Sequence, residues 1–208
     1  MPIMSRAVPA PAEGGQHRRP IIAAAIELTA RSGWQAVTMA RLAELAGVSR
    51  QTVYNEIGSK AALAEAMVAH ELDGFLSVVG AAFDRHPEDL VEAIYDAVRG
   101  VLELADDNTL LRAIVSATHG TAPELLPLLT TDAGALLTQA KRMLAGRVAA
   151  YRPPLGDDRV AVVIDLVVRA VLSHVMQPSD TPARTADALA WLVARVLGVT
   201  ANPPLRHT

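Results

Sequence analysis

Arg50, Gln51, Thr52, Tyr54 and Asn55 lie within the segment VSRQTVYNEIGSK, clustered around Val53. On a helix they share an outward face. Arg and Gln suit bidentate hydrogen bonds to guanine and adenine edges, Thr suits a thymine methyl or a phosphate, and Tyr and Asn suit phosphate oxygens. That chemistry is recognition of a groove, with no covalent bond made or broken. Ser49 supplies the side-chain oxygen of an N-cap just ahead of them.

No grouping in the sequence points to bond-making chemistry. The chain has no cysteine, which removes disulfides, thiolate metal sites and a cysteine nucleophile and fits a reducing cytosol. His17, His70, His86, His119, His174 and His207 show no zinc-site spacing, and GxSxG, P-loop and GxGxxG patterns are absent. The polar run from Asp84 to Asp89 around His86 reads as an interhelical loop. The expectation is therefore no catalytic residue, no metal and no cofactor. Two other classes stay open at this point: an all-α enzyme, favoured by turnover without specific DNA binding, and a helical interaction protein using the same hairpin for non-DNA contacts.

The recognition residues need a scaffold, and the flanking sequence provides one. Leu42, Ala43, Ala46, Val48 and Val53 fall where two short helices can cross closely, and Gly47 sits where the turn between them calls for positive φ. Upstream, Ile22, Ala25, Ile26 and Thr29 follow a helical stripe that ends at Gly33, a C-terminal cap. A third helix can thus brace the pair. Downstream, Ser59 reads as the N-cap of a further helix, placing Lys60 in its first turn within reach of a backbone phosphate.

Residues 20 to 65, with IIAAAIELTARSGWQAVTMARLAELAGVSRQTVYNEIGSKAAL, resemble the DNA-binding domain of the TetR family of bacterial transcription regulators. The form VSRQTVYNEIGSK is similar to variants found in actinobacterial regulators of lipid and alkane metabolism. Ile57 departs from the pattern, since an aromatic residue commonly precedes the Gly-Ser-Lys; an aliphatic can fill the same space. The resemblance implies a double-stranded DNA operator, a homodimer, a small-molecule effector and repression relieved by that effector. The expected DNA-binding set is Thr38, Ser49, Arg50, Gln51, Thr52, Tyr54, Asn55 and Lys60, with Arg50, Gln51 and Thr52 reading bases and Thr38, Tyr54, Asn55 and Lys60 positioning the backbone.

Charge is distributed to match. The net charge is −3, yet residues 1 to 60 hold seven Lys and Arg against four Asp and Glu, leaving the acidic excess to the remainder. Arg18 and Arg19 close a Pro-, Ala- and Gly-rich arm that either adds backbone contacts or is simply solvated. The most hydrophobic stretch, 161 to 176, carries Asp165 and Arg169 and is short for a bilayer, and the first dozen residues lack a signal peptide's apolar run. A soluble, cytoplasmic protein without a membrane partner is expected.

The remaining chain reads as helices divided by turn signals, with no alternating strand pattern. Helices are expected over 60–83, 88–106 with Pro87 at or near its start, 108–118, 123–149 with a bend at Pro127, 157–176 and 182–197. The fold expectation is all-α, about nine helices: a flexible arm over 1–19, a three-helix helix-turn-helix domain over 20–59, a ligand-binding and dimerisation domain over 60–200, and a tail over 201–208. In the middle helices Phe75, Ile94, Val98, Leu102, Ile114, Leu125, Leu129, Leu137 and Met143 offer apolar walls for a hydrophobic effector. Tyr95, His119 and Arg169 are the polar candidates, with a fatty acid or acyl head expected near Arg169 or His119. Asp165 stands one turn before Arg169, the favourable order for an ion pair. Val163, Val167, Val171, Leu189, Leu192, Val193 and Val196 make stripes too broad for one neighbour, and so are expected at a dimer interface.

Overall fold

The computed structural model describes residues 15–116 and 134–198, and among them the backbone forms nine α-helices and one 3-10 turn. Residues 117–133, which hold His119, Leu125 and Leu129 and the beginning of the expected helix 123–149, lie outside the described residues. The first helix, α1 (Arg18–Ser32), begins two residues ahead of the expected boundary, because Arg18 is drawn in: its guanidinium donates to the Glu56 carbonyl at 2.5 Å. Gly33 closes α1 at φ 78°, and a 3-10 turn over Trp34–Ala36 leads to α2 (Met39–Ala46). Gly47, at φ 66° and ψ 31°, makes the left-handed turn into α3 (Arg50–Ile57), where a side chain bearing Cβ would be strained.

Side-chain oxygens start most of the helices. Thr38, Ser49, Ser59 and Thr181 each accept the backbone N–H of the third residue on, capping α2, α3, α4 (Lys60–Arg85) and α9 (Pro182–Leu197). At α5 (Leu90–Asp107) the cap is Asp89, whose carboxylate accepts from Val91 and Glu92; Pro87 therefore lies in the loop and not at the first helical position. Asn108 does the same for α6 (Thr109–Ser116) through Leu111. Beyond the undescribed stretch come α7 (Gly134–Ala149) and α8 (Asp157–Met176), the latter within the expected bounds, as is α9.

Two apolar clusters hold the molecule together, and α4 belongs to both. The first joins Ile21, Ala25, Trp34, Leu42 and Val53 of the N-terminal helices to Leu63 and Met67 of α4 and to Leu110, Leu111 and Ile114 of α6. The second joins Val79 and Phe83 of α4 to α5, with Ile164 of α8 and Ala186, Ala190 and Val193 of α9. The boundary expected at residues 59/60 lies within the span of the first cluster. By length and hydropathy α4 is the one helix among the described residues suited to a bilayer, and its apolar residues are instead shared between these two clusters.

Candidate DNA interface and effector cavity

The first site is the exposed face of α3. Val53 and Ile57 are fully or nearly fully buried against α2 and α4, which fixes the rotation of the helix and turns Arg50, Gln51, Tyr54 and Asn55 to solvent. Tyr54, with 52% of its surface exposed, is one of the large side chains the fold leaves uncovered. Gln51 donates to the Asn55 side-chain oxygen at 2.9 Å, and the Ser49 and Thr52 hydroxyls lie 2.9 Å apart. These pairs order the side chains without occupying all their donors and acceptors. Thr38 is exposed at the N-terminus of α2, where the free N–H groups of the first turn favour an anion.

Lys60 sits apart from that row. Its ammonium donates to the Trp34 carbonyl at 3.2 Å and lies 4.7 Å from the centroid of the Trp34 ring. Arg18, taken from sequence as part of an arm, is held on the C-terminal end of α3, and Glu56 accepts the Gly15 N–H as well. Ile57 fills its site as an aliphatic and is 5% exposed, so the departure from an aromatic there leaves no gap in the burial pattern.

The second site is a cavity of about 210 Å³ walled by α4 to α9. Phe75, Ile94, Val98, Ile114 and Leu137 line it, as expected from their spacing. Leu102 is buried in the neighbouring core but does not line it, and Met143 is partly buried against the same cluster. Of the polar candidates, Tyr95 and Arg169 are described, and neither lines the cavity. Tyr95 turns to Arg99, while Arg169 is 57% exposed and bonds to Asp165 at 2.9 Å on the outer side of α8. Asp165 also accepts from Lys141 of α7 at 2.9 Å, and these two cations, Lys141 foremost, hold its carboxyl below the usual carboxylate range. Arg169 thus lies outside the cavity lining, where the expected acyl head would have to reach it.

Glu71, which sequence reasoning passed over, is the one polar side chain lining the cavity among the described residues. Its carboxylate accepts a hydrogen bond from the Asn108 side-chain amide. A signal existed: Val68, Leu72 and Phe75 surround Glu71 at helical spacing, so a carboxylate interrupts an otherwise apolar face.

The residues expected at a dimer interface divide between the cavity and the surface. Val163, Val167, Val171 and Val193 line the cavity, and Leu189 is partly buried against its core. Leu192 and Val196 are exposed, and they share the surface with Trp191 on α9 and with Val162 and Leu166 on α8. Valines occur around most of α8, so the sequence stripe had no unique phase. Only packing against α7 and α5 selects which edge turns inward.

Comparison with known proteins gives matches over both halves of the chain. Residues 21–67 match the family model for bacterial regulatory proteins of the tetR family, and residues 89–195 match that for the bacterial tetracyclin repressor C-terminal domain. The chain is 30% identical over 177 residues to the HTH-type transcriptional regulator AlkX of Mycobacterium tuberculosis, covering 85% of this chain and 82% of that protein. Among solved structures it is similar to the TetR family repressor AlkX from Dietzia sp., implicated in biodegradation of n-alkanes, with a TM-score of 0.71, 27% identity, and coverage of 87% of this chain and 95% of that one. The fold is shared with the Rhodococcus erythropolis transcriptional repressor QsdR at a TM-score of 0.56 and 19% identity, over 90% and 97% of the two chains.

Proposed function

The chain belongs to the TetR family of bacterial transcription regulators, and from that premise we propose that it is a repressor released from its operator by a hydrophobic small molecule. Family members are DNA-binding regulators, not enzymes. Thr38, Tyr54, Asn55 and Lys60 position the phosphate backbone, Ser49 starts the recognition helix at the DNA, and Arg50, Gln51 and Thr52 read base edges. Two copies, joined through the exposed apolar faces of α8 and α9, place two α3 helices in successive major grooves. The operator is then an inverted repeat with half-sites roughly 34–36 Å apart.

The observation that carries the ligand-gated reading is a shared wall. Leu110, Leu111 and Ile114 of α6 line the cavity and at the same time belong to the cluster that includes Ile21, Ala25 and Trp34 of the DNA-binding half. A molecule that displaces α6 or the adjoining part of α4 therefore acts directly on the base of the helix-turn-helix. A tenfold loss of operator affinity needs only about 1.4 kcal/mol of difference between the two states. The test is to select DNA fragments that the purified protein retains, then titrate the selected operator with and without aliphatic ligands. A palindromic operator released by such a ligand is expected; equal affinity for a single half-site and the full repeat, or ligand occupancy without release, overturns the proposal.

A further inference from the structure

We propose that the cavity is a slot for one unbranched hydrocarbon chain, laid lengthwise between α4 and α8 with no polar group carried inside. The inference deepens the reading of the cavity as the effector site and rests on it. Its ground is shape. The lining positions of α4 run from Val68 to Phe83 and those of α8 from Val160 to Val175, recurring along each helix every three or four residues. Each set is therefore a single stripe on one face, about 22 Å long at ~1.5 Å per residue. A volume of about 210 Å³ gathered into a sphere is only about 7 Å across, so the space is drawn out along the stripes. One end lies under the DNA-binding half, where Val68, Leu110 and Ile114 belong to both the lining and the N-terminal cluster. The other end lies at Phe83 and Val160, in the second cluster.

The described lining offers no partner to a polar head. Glu71 enters it through its aliphatic stem, with its carboxylate turned to the Asn108 amide, and the other described lining residues are apolar. Lys141 and Arg169 are committed to Asp165, away from the lining. A carboxylate drawn into this space loses its water and gains nothing in return. A dry cavity of ~150 Å³ holds benzene, so about 210 Å³ has room for roughly eight to ten carbons. At about 1.25 Å per carbon, from ~1.5 Å bonds at ~111°, the length of the stripes admits up to about eighteen. Volume sets the lower figure and length the upper, and dodecane lies between them. A straight chain meets the walls along its whole length, whereas a branched isomer is too wide for the slot and reaches fewer wall atoms.

The experiment equilibrates the full-length protein with hydrocarbons from a cyclodextrin reservoir and quantifies what it retains by gas chromatography, with operator release followed in parallel. Straight alkanes from hexane to eicosane gain about fourfold in affinity per methylene until the slot is full, and no more after that. Dodecane binds at least about tenfold more tightly than pentamethylheptane, its branched isomer, and than dodecanoate. Val160→Ala moves the plateau to longer chains and Val160→Phe to shorter ones, while operator affinity without ligand stays that of the wild type and reports that both variants fold. Isomers that bind alike, dodecanoate as tight as dodecane, or a plateau unmoved in both folded variants overturns the slot while the cavity stands as the effector site. Selective retention without operator release upholds the slot and overturns the ligand-gated reading. If the wild type retains no hydrocarbon, both fall.

Discussion

Lys60 donates a hydrogen bond to the Trp34 carbonyl oxygen at 3.2 Å, and its ammonium stands 4.7 Å from the centroid of the same residue's indole ring. Trp34 is 1% exposed, and its ring N–H is buried with no hydrogen-bond partner among the described residues, so the ring contributes through its apolar body and its π face. The contact ties the first residue of α4 to the turn between α1 and α2. The helix that lines the cavity is thus fastened to the helices that carry α3.

Replacing Lys60 with Met removes this tie and a positive charge together. The expected loss of stability is about 1–3 kcal/mol, from a partly buried cation–π contact and a charged hydrogen bond. An ammonium has three donors, so the Trp34 contact leaves donors for a phosphate. If Lys60 also touches the operator backbone, the slope of log affinity against log salt falls by about one for each protomer. Chemical denaturation and binding across a salt series measure the two effects separately. A fall in stability with an unchanged slope confines Lys60 to the tie.

Arg50→Ala acts at the opposite face. Arg50 is exposed and forms no ion pair among those of the described residues, so the fold should be indifferent to its loss. Operator affinity should fall by about 1–3 kcal/mol, with relaxed preference at one base pair of each half-site. Tyr54→Phe removes a phosphate donor and should weaken all sequences alike. Binding to a panel of single-base operator variants separates the two; uniform weakening by Arg50→Ala counts against base reading.

The legible parts of this chain are those where local chemistry and tertiary need agree. Ser49, Gly47 and Ser59 mark the recognition hairpin by their own conformational preferences, and Gly156, Pro182 and Gly198 bound the last two helices in the same way. What was not legible is rotation. Asp165 and Arg169 lie one turn apart in a run of valines, and no pattern in that run says which edge of α8 turns outward. Glu71 was passed over for a related reason: a single glutamate on a long helix reads as surface until its neighbours are seen to enclose a void.

At the exposed apolar face, Trp191→Glu tests association. Trp191 is 48% exposed beside Leu192, so a carboxylate there is solvated in an isolated subunit and costs little. In a dimer buried at that face it is an unpaired charge, and association should weaken by several kcal/mol. Sedimentation should show a folded monomer with much reduced affinity for the full operator. Val193→Glu is the contrasting control: Val193 is 3% exposed within one subunit, and its replacement should unfold the chain. A dimeric Trp191→Glu protein places the interface elsewhere.

Asp165 supplies a pH dependence whose sign follows from its partners. Lys141 and then Arg169 lower its folded-state pKa, so its contribution is fully present above the unfolded value of about 3.9 and is lost as pH falls through the folded value. The stability difference between wild type and Asp165→Asn should hold steady near neutral pH and shrink in acid. Arg169→Met should trim that difference and leave aliphatic ligand affinity unchanged, since Arg169 points away from the cavity. Ligand affinity that falls in a folded Arg169→Met protein returns the head group to that side of α8.

The connection between cavity and DNA is tested most directly at Asn108. Its side chain caps α6 and engages Glu71 of α4, so Asn108→Ala breaks both at once, whereas no lining residue of the cavity is removed. Loss of an N-cap of this kind costs about 0.5–2 kcal/mol, which a core of this extent should survive. α6 packs on α1 through Leu110, Leu111 and Ile114, and weakening its start should loosen the base of the helix-turn-helix. The expected result is a folded dimer whose operator affinity is already reduced without ligand, and for which ligand brings a smaller further loss. Reciprocity then requires that operator DNA lower ligand affinity less in the variant than in the wild type. If the variant binds operator as the wild type does and ligand releases it by the same factor, α6 is not the carrier. The coupling then runs along α4 alone, through its contacts with Trp34 and Phe75 at either end of the path.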